Sequence, residues 1–201
     1  MRKTTVLAAL ACSLSLFSFA LQAAEAGRAE DIVQGKCFLC HGTAGESSSP
    51  VFPRLAGQNA AYVARQLVDY KSGKRRSTTM QPMVEDLSAE DFKALGAYFA
   101  SRQAQGHPTD DNDLAQMGRF VFLRGNPYSG VAACAGCHGA NGHGTEDLPR
   151  LAGQHAQYIE NQLMLFNKRE RTNDNAVMHG IAGKLTVLEV KAVSAFLSGL
   201  Q

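Results

Sequence analysis

The sequence contains no tryptophan, only five cysteines, and a single long apolar run, which lies close to the N-terminus. That run, VLAALACSLSLFSFAL at residues 6–21, is short for a membrane-spanning helix, which needs about 20 apolar residues. No later segment is apolar enough to cross a bilayer. With 45% hydrophobic residues in a chain of 201, the remainder is expected to form a soluble globular protein of one or two domains.

The apolar run has the flanks of a secretory signal peptide. Arg2 and Lys3 precede it, and the small residues of QAAEAG follow it at plausible cleavage positions. We place the signal peptide at residues 1–24 and expect the remainder to be exported. A retained membrane anchor is the alternative interpretation.

The mature chain has no excess of either charge. Removal of Arg2 and Lys3 leaves 18 basic and 18 acidic side chains. Proteins that bind nucleic acid rely on a surplus of Lys and Arg to neutralise phosphates. The balance therefore argues against a nucleic-acid partner.

The cysteines of the mature chain fall into two identical patterns. Cys12 lies in the signal peptide, and the other four occur in CFLCH at residues 37–41 and CAGCH at residues 134–138. Two disulfides, or one zinc ion held by four thiolates, are the first alternatives for four cysteines in an exported protein. Neither alternative explains why His41 and His138 directly follow the two pairs.

Covalent attachment of haem accounts for the cysteines and the histidines together. Two cysteines three positions apart can bond to both vinyl groups of one haem, and the next histidine can bind its iron as the proximal ligand. The sequence therefore predicts two c-type haems. The attachment residues are Cys37, Cys40, Cys134 and Cys137, and the proximal ligands are His41 and His138.

The repeat extends well beyond the haem motifs. FPRLAGQNAAYVARQL (52–67) matches LPRLAGQHAQYIENQL (148–163) at an offset of 96 residues, and the haem motifs match at an offset of 97. A period of this length indicates a tandem duplication of a small domain. The polar stretch QAQGHPTDDND resembles a linker. We place the domains at residues 25–104 and 114–201, with the linker at residues 105–113.

Both copies are predicted to be helical. Apolar residues recur at i, i+4 and i+7, and the segments SAED (88–91) and TVLE (186–189) are capping boxes at the start of the last helix of each copy. No alternating pattern indicates a strand. The apolar stripes comprise Val63, Leu67 and Tyr70, Phe92, Leu95 and Phe99, Ile159, Leu163 and Phe166, and Val190, Val193 and Leu197.

A methionine in each copy is the candidate for the distal iron ligand. Alignment of the copies on Leu87 and Leu185 pairs Met80 with Met178, each seven residues before its leucine. Met83 then pairs with an apolar residue and is expected to lie in the core. His179 is an alternative ligand, but the first copy has glutamine at the equivalent position.

Other repeated residues suit the surroundings of a haem. A proximal histidine usually donates its second ring N–H to a backbone carbonyl, which Pro53 or Pro149 could supply. Arg54 and Arg150 are candidates to pair with haem propionates, because a guanidinium matches carboxylate geometry. Weaker candidates for the same role are Arg75 and Arg171, and Tyr62 and Tyr158 are candidates for additional hydrogen bonds.

Together these motifs resemble the dihaem cytochrome c4 family. The resemblance rests on two C-x-x-C-H units about a hundred residues apart, each followed by P-R-L-A-G-Q-x-x-x-Y-x-x-x-Q-L and a methionine, and it spans nearly the whole mature chain. One departure is NKRER (167–171), which lacks the glycine of KSGKR (71–75) in the first copy. This departure leaves the roles of Arg169 and Arg171 open.

The resemblance implies an all-α protein of two class I cytochrome c domains, related by a pseudo-twofold axis, with their haems facing each other. It also implies a periplasmic electron carrier with peripheral membrane association. Its expected partners are redox proteins such as a quinol-cytochrome c reductase and a haem-copper terminal oxidase.

Two other function classes remain open. The first is the dihaem electron-accepting subunit of a complex similar to flavocytochrome c sulfide dehydrogenase. The second is an enzyme such as a dihaem peroxidase. The methionine in each copy argues against an enzyme, because two strong axial ligands leave no iron position for a substrate.

Overall fold

The computed structural model describes residues 27–201, so the predicted signal peptide at residues 1–24 lies outside the described part. Within that part the protein is helical and has no strand, only an isolated bridge between Asn126 and Val131. The helices are α1 (residues 27–32), a π-helical continuation at Val33–Cys37, α2 (Phe38–His41), α3 (Ala60–Lys71), α4 (Met80–Val84), α5 (Ala89–Ala100), α6 (Asn112–Arg124), α7 (Ala135–His138), α8 (Ala156–Asn167), α9 (Val177–Ala182) and α10 (Val187–Gly199).

The first domain is built around the packing of α3 against α5. A glycine makes this close approach possible, because a Cβ at Gly96 on α5 would overlap the backbone carbonyl of Ala60 at the start of α3. The apolar stripe predicted for α5 is buried here, with Phe92, Leu95 and Phe99 at most 3% exposed. These side chains pack together in one hydrophobic core, which also contains Val33 of the π-helical turn.

The second domain is built around the packing of α6 against α10, with α8 packed against α9 and α10. A Cβ at Gly118 on α6 would overlap the backbone carbonyl of Ala192 on α10. The core beside this contact contains Phe122, Ile159, Val193 and Leu197. Each domain thus has a hydrophobic core of its own.

Both predicted capping boxes are present. The Ser88 hydroxyl accepts from the Asp91 N–H at 3.1 Å, and the Asp91 carboxylate accepts from the Ser88 N–H at 2.8 Å. Thr186 and Glu189 make the same pair of bonds at 3.2 and 2.8 Å. Each cap stabilises its helix by about 1 kcal/mol, and together they define where α5 and α10 begin.

The prediction of a core position for Met83 is wrong. Its side chain is 40% exposed, whereas that of the next residue, Val84, is 1% exposed. Helix α4 has only five residues and turns Val84 toward the core, so Met83 faces outward.

The segment between α5 and α6 has no helix and is attached to the second domain. The His107 N–H donates to the Ser198 carbonyl at 2.7 Å, and the Ser198 hydroxyl donates to the His107 carbonyl at 3.2 Å. The domain boundaries at residues 104 and 114 stay predictions. Among the helices of residues 27–201, none is both long and apolar enough to cross a bilayer.

Candidate functional site

In the first domain, the histidine of the haem motif is held in a defined orientation. His41 is the last residue of α2, is 6% exposed, and its Nδ1–H donates to the Pro53 carbonyl at 2.8 Å. A carbonyl only accepts, so the ring proton lies on Nδ1 and the Nε2 lone pair is free for a metal. Burial lowers the pKa of His41, although the bond to Pro53 opposes this effect. The site therefore favours neutral imidazole, the form that binds iron.

The second domain repeats this arrangement. His138 is the last residue of α7, is 7% exposed, and its Nδ1–H donates to the Pro149 carbonyl at 3.2 Å. Burial again lowers the pKa of the imidazole. The hydrogen bonds expected from Pro53 and Pro149 are thus both present.

The four cysteines of the haem motifs form no disulfide in the described part of the chain. Before a haem is attached, burial raises the pKa of the Cys37 thiol to about 11 and that of the Cys134 thiol to about 11, so neither is a thiolate at neutral pH. Residues 27–201 contain no cluster of three or more histidine, cysteine or acidic side chains that could hold a metal ion. The two pairs are therefore not gathered into one zinc site, and their donors fit two separate haems.

Each distal methionine lies in a short helix whose start is held by a polar side chain. Met80 is the first residue of α4, and its N–H donates to the Ser77 hydroxyl at 3.1 Å. Met178 lies in α9, and its N–H donates to the Asp174 carboxylate at 2.6 Å. Both methionines are partly buried. Their assignment as iron ligands stays a prediction.

The alternative distal ligand, His179, is tied to a neighbouring helix. Its Nδ1–H donates to the carbonyl of Phe166 on α8 at 3.0 Å. This bond holds α9 against α8, which gives His179 a structural role that glutamine at position 81 does not repeat.

The two domains meet through reciprocal hydrogen bonds. The Gln154 side chain accepts from the Arg54 N–H at 2.8 Å and donates to the Arg54 carbonyl at 2.9 Å. Gln58 makes the equivalent pair with the backbone of Arg150 at 2.7 and 2.9 Å. Equivalent residues thus exchange equivalent bonds, as expected for a pseudo-twofold axis between the domains.

The side chains of Arg54 and Arg150 lie beside this contact. Arg54 donates from Nη1 to the Gly153 carbonyl at 2.8 Å, and Arg150 donates from Nε to the Ala152 carbonyl at 3.1 Å. Burial lowers the pKa of both guanidinium groups. They line a cavity of about 580 Å³ between the domains and the linker. Their contact with haem propionates stays a prediction.

A second and more deeply buried arginine pair crosses the interface. Arg75 donates to Tyr158 and Gln162 of the opposite domain at 3.0 Å each. Arg171 donates to Tyr62 at 3.0 Å and Gln66 at 3.1 Å. Arg75 is 7% exposed and Arg171 is 9% exposed. The structure buries Arg75 and Arg171 more completely than Arg54 and Arg150, the pair that the sequence favours for the propionates.

The glutamines of this network were not identified from the sequence. Gln66 also accepts from Arg75 within its own domain at 2.8 Å, and Gln162 accepts from Arg171 at 2.7 Å. Each therefore joins one arginine from each domain. The sequence does indicate them, because the glutamine is repeated in ARQL (64–67) and ENQL (160–163). A surface position of a duplicated domain need not keep a glutamine in both copies.

The departure at NKRER does not displace Arg171. Arg169 takes the left-handed backbone conformation, with φ of 57°, that Gly73 takes in the first copy with φ of 75°. A non-glycine residue in this region costs about 1 kcal/mol or more, but the turn is preserved. Arg171 therefore reaches the interface as Arg75 does.

Two helical domains, each with a C-x-x-C-H unit whose buried histidine presents a free Nε2, define a c-type cytochrome with two haem-binding domains. Residues 124–201 match the family described as cytochrome c, and residues 24–99 match the family described as cytochrome C oxidase, cbb3-type, subunit III.

Comparison with individual proteins gives a more specific result. The chain is 39% identical to cytochrome c4 of Pseudomonas aeruginosa over 204 residues, which covers 100% of both chains. Its fold matches the crystal structure of reduced recombinant cytochrome c4 from Pseudomonas stutzeri with a TM-score of 0.82 and 37% identity, over 88% of this chain and 98% of that one. It is also 34% identical to a thiosulfate dehydrogenase electron acceptor of Thiomonas intermedia, over 81% of this chain and 77% of that protein.

The chain belongs to the cytochrome c4 family. It carries two covalently bound haem c groups with iron, and it is an electron carrier and not an enzyme. The family resemblance and the all-α fold of two tandem cytochrome c domains, both predicted from the sequence, are confirmed.

Proposed function

We propose that this protein carries electrons in the periplasm, from the quinol-oxidising respiratory chain to a terminal oxidase. The observation that carries the proposal is the duplicated proximal site, in which His41 and His138 are buried and oriented by the Pro53 and Pro149 carbonyls. A site built in this way holds one haem iron in each domain.

The residue assignments of the proposal are symmetric. The haem of the first domain is attached to Cys37 and Cys40, with His41 and Met80 as iron ligands. The haem of the second domain is attached to Cys134 and Cys137, with His138 and Met178 as iron ligands.

A bound haem supplies reversible one-electron oxidation and reduction at its iron. The chain sets the conditions for this chemistry, because a histidine and methionine ligand pair raises the reduction potential, and axial ligand choice spans roughly 0.8 V across haem proteins. The bonds to Pro53 and Pro149 keep each imidazole in the tautomer that binds iron. With both axial positions taken by the protein, the site favours electron exchange over ligand binding.

The arginines at the domain interface are proposed to bind the haem propionates. Arg54 and Arg150 keep guanidinium N–H groups beyond those that Arg54 donates to Glu46 and Gly153 and the one that Arg150 donates to Ala152. The more buried pair, Arg75 and Arg171, bonds mainly to neutral tyrosine and glutamine side chains. A buried guanidinium is stabilised by an anion, and a propionate is an anion of matching geometry.

The proposed location and partners are argued from the sequence. Residues 1–24 have the pattern of a cleaved signal peptide, and covalent haem motifs are expected in exported proteins. Peripheral association with the membrane is proposed from the family resemblance. A quinol-cytochrome c reductase is the proposed donor, and a haem-copper oxidase is the proposed acceptor.

The direct test is to mix the reduced protein with membranes that contain a haem-copper oxidase and follow its absorbance under air. Rapid oxidation that an oxidase inhibitor blocks supports the proposal. Membranes that lack the oxidase are the matched control. Oxidation at the same slow rate in both samples contradicts the proposed acceptor.

A specific observation favours a second candidate function, the electron-accepting partner of a sulfur-compound dehydrogenase. One relative, 34% identical, is a thiosulfate dehydrogenase electron acceptor. An acceptor subunit of the flavocytochrome c sulfide dehydrogenase type is also compatible with the sequence. Oxidised protein mixed with thiosulfate dehydrogenase and thiosulfate, or with a sulfide-oxidising flavoprotein and sulfide, separates these functions. Reduction faster than by a quinol-cytochrome c reductase favours the second candidate.

A further inference from the structure

The segment that leads into Met178 is held by one carboxylate through several bonds. Asp174 Oδ2 accepts from the N–H of Met178 at 2.6 Å and from that of His179 at 3.3 Å. Its Oδ1 accepts from the Ala176 N–H at 3.3 Å. The Asp174 side chain thus accepts from three backbone N–H groups of residues 174–179, which we call the second distal segment.

The backbone within this segment is strained. Asn175 and Ala176 have φ of 55° and 66°, in the left-handed region that alanine rarely adopts. Such residues cost roughly 1 kcal/mol or more each and persist only where the surroundings hold them. The carboxylate of Asp174 holds them here through its bonds to Ala176 itself and to Met178 and His179, which follow. Loss of the carboxylate should therefore release the whole segment.

The equivalent segment of the first domain is held differently. In residues 27–201, the side-chain bond that restrains the start of α4 is the one from the Met80 N–H to the Ser77 hydroxyl at 3.1 Å. Within the described part of the chain, Gly73 is the residue near this helix that has a positive φ, and for glycine this conformation costs little. The first distal segment is therefore less constrained and less strained than the second.

We propose that Asp174 is a positioning residue that keeps Met178 in place, and that the second distal segment consequently resists displacement more than the first. The inference rests on the proposed role of Met80 and Met178 as distal ligands. It predicts that the two haems differ in how readily an added ligand replaces the methionine. An added ligand should therefore replace Met80 at a lower concentration than it replaces Met178.

The test is an imidazole titration of the oxidised full-length protein, followed through the methionine–iron charge-transfer band. Single replacements of Met80 and Met178 by alanine assign each phase to a domain. In Asp174→Ala, the apparent affinity of the second haem for imidazole should rise about tenfold, which corresponds to about 1.4 kcal/mol and lies within the range for loss of a cap. The first haem should be unchanged.

Two further variants separate positioning from charge and from general instability. Asp174→Asn keeps an oxygen acceptor, so its imidazole affinity should stay close to that of the unmodified protein. Ser77→Ala is the matched change in the first domain and should affect only the first haem. An unchanged second haem in Asp174→Ala, or equal affinities of the two haems in the unmodified protein, overturns the inference while the ligand assignment stands. Absence of the charge-transfer band from the unmodified protein overturns the ligand assignment and the inference with it.

Discussion

Arg75 of the first domain donates a hydrogen bond of 3.0 Å to the hydroxyl of Tyr158 in the second. The equivalent bond runs in the opposite direction, from Arg171 to Tyr62, also at 3.0 Å. Duplicated residues therefore join the two copies reciprocally, with each domain supplying one guanidinium and one tyrosine.

Denaturing mass spectrometry of the exported protein should show the mass of residues 25–201 plus two haems. The reason is that each C-x-x-C-H unit provides two thiols for one haem. Replacement of both Cys134 and Cys137 by alanine should remove one haem, while the same change at Cys37 and Cys40 should remove the other. A thiol count above zero in the unmodified mature protein would contradict complete attachment.

Replacement of Met80 by alanine should abolish the methionine–iron band of the first haem and lower its reduction potential, because the iron loses its thioether ligand. Met83 is the matched control, since it lies three residues away and is 40% exposed. Its replacement by alanine should leave band and potential nearly unchanged. A spectroelectrochemical titration measures both quantities, and an exchange of the two outcomes would identify Met83 as the ligand.

Tyr158→Phe and Tyr62→Phe should each lower the free energy of unfolding by about 1 kcal/mol, the usual contribution of one hydrogen bond. Each change removes the hydroxyl that accepts from a buried arginine of the other domain. Tyr98→Phe is the control, because the Tyr98 hydroxyl donates to the Thr43 carbonyl within one domain at a more exposed site. Denaturant titration measures the three values. Equal losses in all three variants would argue against a special role of the interface.

Stability should fall in acid partly through one carboxylate. The hydrogen bond from Arg28 holds the pKa of Asp91 well below its usual range, although burial opposes this effect, and the Ser88 N–H adds to the lowering. The unfolded carboxyl has a pKa of about 3.9. The ionised form therefore stabilises the fold above that pH, and the contribution is lost as pH falls toward the folded pKa.

The corresponding measurement is the free energy of unfolding as a function of pH. Asp91→Asn should be less stable than the unmodified protein at neutral pH and should lose less stability between about pH 5 and pH 2. Glu90→Gln, an exposed neighbour on α5, is the control and should keep the original pH dependence. Parallel curves for Asp91→Asn and the unmodified protein would contradict the prediction.

Much of the site could be predicted because its residues are close together in the chain. Cys37, Cys40 and His41 act within about one turn, and the capping boxes that begin at Ser88 and Thr186 each span four residues. Such features depend on local backbone geometry, and the spacing of residues in the sequence is enough to predict it. The duplication also allowed Met80 to be preferred over Met83 by comparison with the second copy.

The contacts between the domains depended on tertiary structure. Gln66 joins Arg75 and Arg171, although the latter lies 105 residues away in the chain, and Arg54 bonds to Gln154 across 100 residues. No periodicity or spacing encodes such contacts, because they arise only when two folded surfaces meet. The sequence alone determined the haem motifs, the helices and the duplication. The docking of the two domains decided which repeated arginines and glutamines are buried together, since burial is a property of the assembled surfaces.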